Sequence, residues 1–210
     1  MSAQPCDRPQ AFTDARARIG MWVFLGSEIM FFGPIFFTYL YGRHAWPQAF
    51  DAVSRSTDLL CGTVNTAVLL TSSLGVAMAL LLAQGGARKQ ARRALDAVVL
   101  LGLVFLLIKG YEYAQDWHEH LVPGPDFQLP GATNPAAAQM FYFIYFFSTL
   151  LHALHLTIGI GLMLYCRGYL KREPGHRPVR RLEITGLYWH FVDIIWIFLY
   201  PALYLAGRAA

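Results

Sequence analysis

Seven side chains able to carry charge or bind a proton fall inside otherwise apolar stretches: Glu28, Lys109 with Glu112, His152 with His155, and His190 with Asp193. The three pairs share one spacing, i and i+3, which places both members on one face of a helix, one turn apart. Lys109 and Glu112 carry opposite charges, so a local ion pair is the simplest account. His152 and His155 could hold a metal or a haem, or could hydrogen-bond to a neighbouring helix. A metal site needs further ligands at the same depth, and the Glu-x-x-His pattern of bundle metal sites does not occur within the apolar segments, so hydrogen bonding is the simpler reading. His190 and Asp193 could hydrogen-bond along their own helix. Glu28 stands alone: its neighbours three and four positions away are Phe24, Leu25, Phe31 and Phe32, none able to neutralise a carboxylate. Such a group must pair with another helix, face a wet cavity or carry a proton, and a partner among the histidines, His152 or His155, is expected.

These groups need elements that cross a membrane. The chain is 56% hydrophobic and 14% charged, against roughly 25% charged in soluble domains. Five apolar segments, about 19–41, 59–83, 94–113, 140–166 and 184–206, are long enough to span a bilayer, which takes about 20 residues of helix. The second is the cleanest, with no charge between Asp58 and Arg88. The third qualifies because Val98–Ile108 is apolar throughout, and its charged flanks, Lys109 included, are expected to snorkel to the interfaces. Within the second, Asn65 and Thr66 open a polar face continued by Thr71, Ser72 and Ser73, residues suited to close helix packing. Strand-like alternation is absent from the sequence, which disfavours a β-barrel. The expectation is an all-α polytopic membrane protein: a short cytoplasmic segment, 1–18, and one five-helix domain, 19–206.

Orientation follows from the basic residues. Thirteen of the 17 lysines and arginines flank the same side: Arg8, Arg16 and Arg18, then Arg88, Lys89, Arg92 and Arg93, then six between Arg167 and Arg181. The opposite side has Arg43, Arg55 and Arg208. Five spans make these alternate consistently, with the N-terminus cytoplasmic and the C-terminus external. The formal net charge of +4 therefore reflects topology and headgroup contact rather than nucleic-acid binding. The first apolar segment is too long and too aromatic for a cleaved secretory signal.

Other classes of chemistry find little support. Cys6, Cys61 and Cys166 form no CxxC pair, and Cys61 and Cys166 fall at opposite membrane edges. No phosphate loop or nucleophile–base arrangement occurs in the sequence. The longest connection, 114–139, is acidic and rich in proline and glycine, with Pro123, Gly124, Pro125, Pro130, Gly131 and Pro135. It is expected to lie extended over the bundle. The buried polar groups by themselves fit a proton path, a lipid-binding cleft or plain bundle packing. A small proton-coupled transporter would also place such groups at mid-membrane, but would be expected to show a repeat, and none is visible.

Four motifs, in order, narrow this. They are Gly20-x-Trp22-x-Phe24-x-x-Ser27-Glu28-x-x-Phe31-Phe32; Asn65-Thr66 followed by Leu69-Leu70-x-Ser72-Ser73; Lys109-Gly-Tyr-Glu112-Tyr113; and His152-x-x-His155…Gly159 with Tyr188-Trp-His-Phe-Val-Asp193-x-x-Trp196. Together they touch all five spans, and in this order they resemble subunit III of the haem-copper respiratory oxidases, in its five-helix bacterial form. The resemblance implies a helical bundle with a V-shaped cleft holding phospholipid, docked directly on subunit I, with subunit II in the same complex. It implies a bacterial inner-membrane location and no metal, redox centre or catalytic residue in this chain; haems and copper would belong to the partners. The implied role is to stabilise the catalytic subunit and support its proton uptake while dioxygen is reduced to water. Glu28, His152, His155, His190 and Asp193 match the family's buried polar positions. Related subunits accompany quinol oxidases and nitric oxide reductases, so the electron donor stays open. One departure is visible: Leu150 stands where many members have glycine, which is expected to alter helix approach there.

Overall fold

The computed structural model describes residues 8–124, 127, 134–172 and 177–208. Six α-helices and one π-helical turn follow in order: α1 (Arg8–Ala45), α2 (Pro47–Ser56), α3 (Leu59–Gln84), α4 (Arg88–His118), α5 (Pro135–Arg172), α6 (Arg177–Tyr200) and the π turn Pro201–Leu205. All helices but α2 are long and apolar enough to cross a membrane. No strand occurs among the described residues.

Local chemistry sets the boundaries. Asp58 caps α3 by accepting from the Leu60 and Cys61 amides at 2.9 and 3.1 Å, satisfying donors that a helix start leaves free. The α3–α4 turn passes through Gly86 at φ +82°, where a side chain would be strained. The helix α2 was not evident from the sequence because ten residues cannot span a membrane; Pro47 opens it, and Ala49, Phe50 and Val53 turn one face inward. The long connection is shorter than its composition suggested. Helix α4 runs on to His118 because Asp116 continues the face that carries Lys109 and Glu112, and the chain leaves the helix only at His120, φ 57°. Pro125, Asp126, Pro130 and Gly131 of that connection lie outside the described residues, as does Cys6.

The helices α3, α4, α5 and α6 make a closely packed bundle, whereas α1 packs more thinly along α5, α6 and α2. The α3–α6 seam is fixed by two tryptophans seven residues apart. Trp189 Nε1 donates to Ser72 Oγ at 3.1 Å and Trp196 Nε1 to Thr66 Oγ1 at 3.0 Å. Glycine makes room for the Trp189 ring: a Cβ at Gly102 or at Gly159 would approach it to 3.1 Å. Leu150 points outward, 61% exposed, so the expected effect of leucine on helix approach is absent.

The end of the bundle that carries the C-terminus is bound together by backbone acceptors. A π turn displaces carbonyls from the regular ladder, and side chains from α1 and α2 take up the acceptors from Ala202 onward. Tyr39 Oη donates to Ala202 O, Ser54 Oγ to Leu203 O at 3.1 Å, Arg43 to Ala206 O at 2.9 Å and Arg55 Nε to Gly207 O at 2.6 Å. Arg208 donates to the Tyr204, Arg55 and Thr57 carbonyls. The three arginines that stood apart from the basic loops in sequence are thus all engaged in closing this end.

Candidate functional site

The polar residues singled out in sequence do not form one set. The structure divides them among different places in the bundle.

The first surrounds Lys109. Its ammonium lies 3.0 Å from Glu112 Oε2, with both side chains only 4% exposed. It also donates to Tyr145 Oη at 3.0 Å and Tyr204 Oη at 2.9 Å, so all three N–H groups are used. Both tyrosines donate in turn to Glu112 Oε1, at 2.5 and 2.6 Å. The rings of Tyr113, Tyr145, Trp196 and Tyr204 stand around the ammonium at 4.8 to 5.8 Å, a distance range at which cation–π attraction operates. Lys109 therefore does not snorkel to an interface. Its charge is held inside the protein because a carboxylate, two hydroxyls and four aromatic faces replace the water it would seek.

The second arrangement is the Glu28–His155 contact between α1 and α5. His155 Nε2 and Glu28 Oε2 are 3.1 Å apart, with the side chains 12% and 16% exposed. The other ring nitrogen, Nδ1, is 2.8 Å from the Leu151 carbonyl. That contact assigns the proton to Nδ1 and leaves Nε2 either to accept a proton shared with Glu28 or to carry one itself. Tyr188 Oη donates to the His155 carbonyl at 3.0 Å, tying α6 to the same turn of α5.

The remaining four lie in two places, His190 and Asp193 beside Ser73, and His152 beside Trp196 with Asn65 next in sequence to the Thr66 that Trp196 bonds. His190 Nδ1 lies 2.6 Å from Ser73 Oγ on α3 rather than bonding along α6 to Asp193. Both Asp193 oxygens are buried without a well-formed hydrogen bond, beside the same Ser73. His152 is fully buried between the rings of Phe105 and Trp196, at 5.4 and 5.1 Å between centroids, and neither of its nitrogens has a hydrogen-bond partner. Asn65 is also fully buried with both amide atoms unpaired, while Thr66 receives Trp196.

Sequence reasoning missed Tyr145, Tyr204 and Trp196 as members of the Lys109 cluster. Between α1 and α6 runs an apolar groove of about 530 Å³, walled by Trp22, Leu25, Phe32, Phe191, Ile194 and Phe198, with His190 at its edge. Among the described residues no three His, Cys, Asp or Glu side chains come together as a metal-ligand set.

A five-span helical bundle with its ionisable groups turned inward and a long apolar groove on one flank defines the class: a polytopic membrane protein whose buried groups hold helices together. The comparisons with known proteins then fix the family. A model described as cytochrome c oxidase subunit III matches residues 9–119 and 125–208. The chain is 32% identical over 201 residues to cytochrome c oxidase subunit 3 of Gallus gallus, covering 90% of this chain and 69% of that one. It is also 32% identical over 194 residues to cytochrome c oxidase subunit 3 of Alkalihalophilus pseudofirmus, covering 90% and 86%, and 28% identical over 209 residues to that of Paracentrotus lividus. The chain belongs to the cytochrome c oxidase subunit III family, and its place as a subunit of a terminal oxidase follows from that membership.

Proposed function

We propose that this chain is an accessory subunit of a proton-translocating terminal oxidase, carrying no redox centre and docking directly on the catalytic subunit I, with subunit II in the same complex. The observation that carries the reading is a family match extending over nearly the whole described chain, on a bundle whose ionisable groups are engaged in helix contacts. In this reading the complex sits in a bacterial inner membrane, with the basic end of the bundle cytoplasmic and the arginine-closed C-terminal end external. The basic loops support that orientation.

Two features take roles within it. The groove between α1 and α6 holds a phospholipid acyl chain, since its walls are aliphatic and aromatic along their length. Glu28 with His155 is the proton-related site, because the pair is partly open and joined by a single bond. His152, His190 and Asp193 support it as interior polar positions. Lys109 with Glu112 serves structure, as do Asn65 and Thr66 in helix packing.

The test is purification of the tagged chain from its own membranes in mild detergent, after cross-linking in the intact membrane to prevent stripping. Haem absorbance and a haem-copper catalytic subunit in the preparation are the expected result. A colourless preparation, with no such subunit cross-linked to the chain, would overturn the reading.

A further inference from the structure

We infer that the bundle holds bound water next to Trp196, hydrogen-bonded to Asn65 on α3 and to His152 on α5. Asn65 belongs to the inward stripe Gly62, Asn65, Leu69 and Ser72. The ring of Tyr204 packs on Gly62 one turn away, and Trp196 bonds to the adjacent Thr66. His152 packs on the same indole, with 5.1 Å between ring centroids. Trp196 thus touches His152 and bonds to the residue next to Asn65, and these two wholly buried side chains together present four polar atoms without a protein partner.

The surrounding protein groups are already committed. All three N–H donors of Lys109 are used, and Glu112 accepts from Lys109 and from both tyrosines. Ser148 and Thr149 donate back to the Tyr145 carbonyl. Buried amide and imidazole groups left unpaired are costly, and interior water is the usual partner for such groups. The chemistry selects water over an ion. Asn65 offers a donor and an acceptor, as does a neutral imidazole. A ligand that answers both must itself donate and accept. An anion or a cation would answer only one half of each group.

Radiolytic hydroxyl-radical footprinting tests this, because X-rays generate radicals from water in place and mark side chains beside bound water even when bulk solvent cannot reach them. The full chain, in nanodiscs with the subunits that accompany it, supplies its own control. Trp196 and Trp189 are both buried, 1% and 0% exposed, and each indole donates to an α3 hydroxyl, but it is Trp196 on which the unpaired His152 ring packs. Trp196 is expected to be oxidised at least several-fold faster than Trp189. The double variant Asn65→Leu with His152→Phe should bring the two rates together. In thermal melts, its loss of melting temperature should be smaller than the sum of the two single losses, because each single change leaves the water with one partner fewer. Equal rates in the unaltered protein would overturn the proposal without recourse to any variant. A Trp196 rate undiminished in the double variant would also overturn it, as would a high-resolution map showing Asn65 and His152 bonded directly.

Discussion

Lys109–Glu112 and Glu28–His155 are both acid–base contacts in the apolar part of the bundle, at nearly the same distance, 3.0 and 3.1 Å. They are built to different ends. Around Lys109 every donor is satisfied, two tyrosines close the ring of bonds, and contacts reach α4, α5 and the π turn. Glu28 and His155 make one bond across the seam of the most thinly packed helix, and both remain partly open. A buried charge pair gains its keep only when all its bonds are made, since desolvation otherwise outweighs attraction. The Lys109 cluster meets that condition and locks elements together. The Glu28 contact does not: it leaves both groups with one mutual bond and partial access, the arrangement on which the proton-related role proposed for it rests.

The largest test breaks the lock. Lys109→Met leaves the Glu112 charge buried without its counterion and should destabilise the chain by about 3–5 kcal/mol. Thermal melting of the purified complex, followed by loss of this chain, measures it. Adding Glu112→Gln should recover a substantial part, because no buried charge is then left over. A double variant as unstable as the single one would mean that the pair's charge is not what the cluster answers.

Tyr204→Phe comes next. It removes one donor to Glu112 and one acceptor for Lys109 while keeping the ring against Gly62. Hydrogen bonds to charged groups contribute about 1.5–3 kcal/mol each, so losing two should cost about 3 kcal/mol in the same melting experiment. Ser54→Ala is smaller. Its hydroxyl donates to Leu203 O and accepts from the Gly207 amide; losing both should cost about 1–2 kcal/mol. The effect should appear as faster amide exchange confined to residues 201–208 and α2. Exchange that spreads through α4 and α5 instead would mean that the C-terminal closure and the Lys109 cluster form one cooperative unit.

The helices were legible in the sequence because length and apolarity alone decide what spans a bilayer, and Glu28 was legible because a lone carboxylate in such a run has no local partner. The Lys109 cluster was only half legible. Spacing revealed Lys109 and Glu112, but Tyr145 lies in Phe141-Tyr-Phe-Ile-Tyr-Phe-Phe147, where one aromatic cannot be told from the next. A chemical requirement could have pointed to it: an ammonium has three donors and one carboxylate oxygen answers one, so other acceptors had to come from elsewhere. Tyr204 was hidden for a further reason, since its reach depends on a π turn that no hydrophobic period encodes. Arg43, Arg55 and Arg208 were counted for topology, and their actual bonds to displaced carbonyls follow only from the path of the C-terminus.

The smallest effect on stability should come from Glu28→Gln, and its smallness is the point. The amide can still meet His155, its N–H donating to a neutral Nε2 or its oxygen accepting from a protonated one, so the cost should stay below about 1 kcal/mol. What changes is the charge that the seam can hold. Helix α1 is secured near its C-terminal end by Tyr39 and Arg43, so among the described side chains the stretch from Ile19 to Glu28 depends on this contact and on apolar packing. Hydrogen exchange in residues 19–35 should therefore rise while α4 and α5 stay as protected as before. If Glu28→Gln instead lowered the melting temperature as far as Lys109→Met, the two contacts would be locks of one kind. The difference in their bonding would then have no energetic meaning. A local change in α1 without global loss would establish the opposite: an acid–base contact locks helices where every bond is made, and leaves its helix locally loose where one bond stands alone.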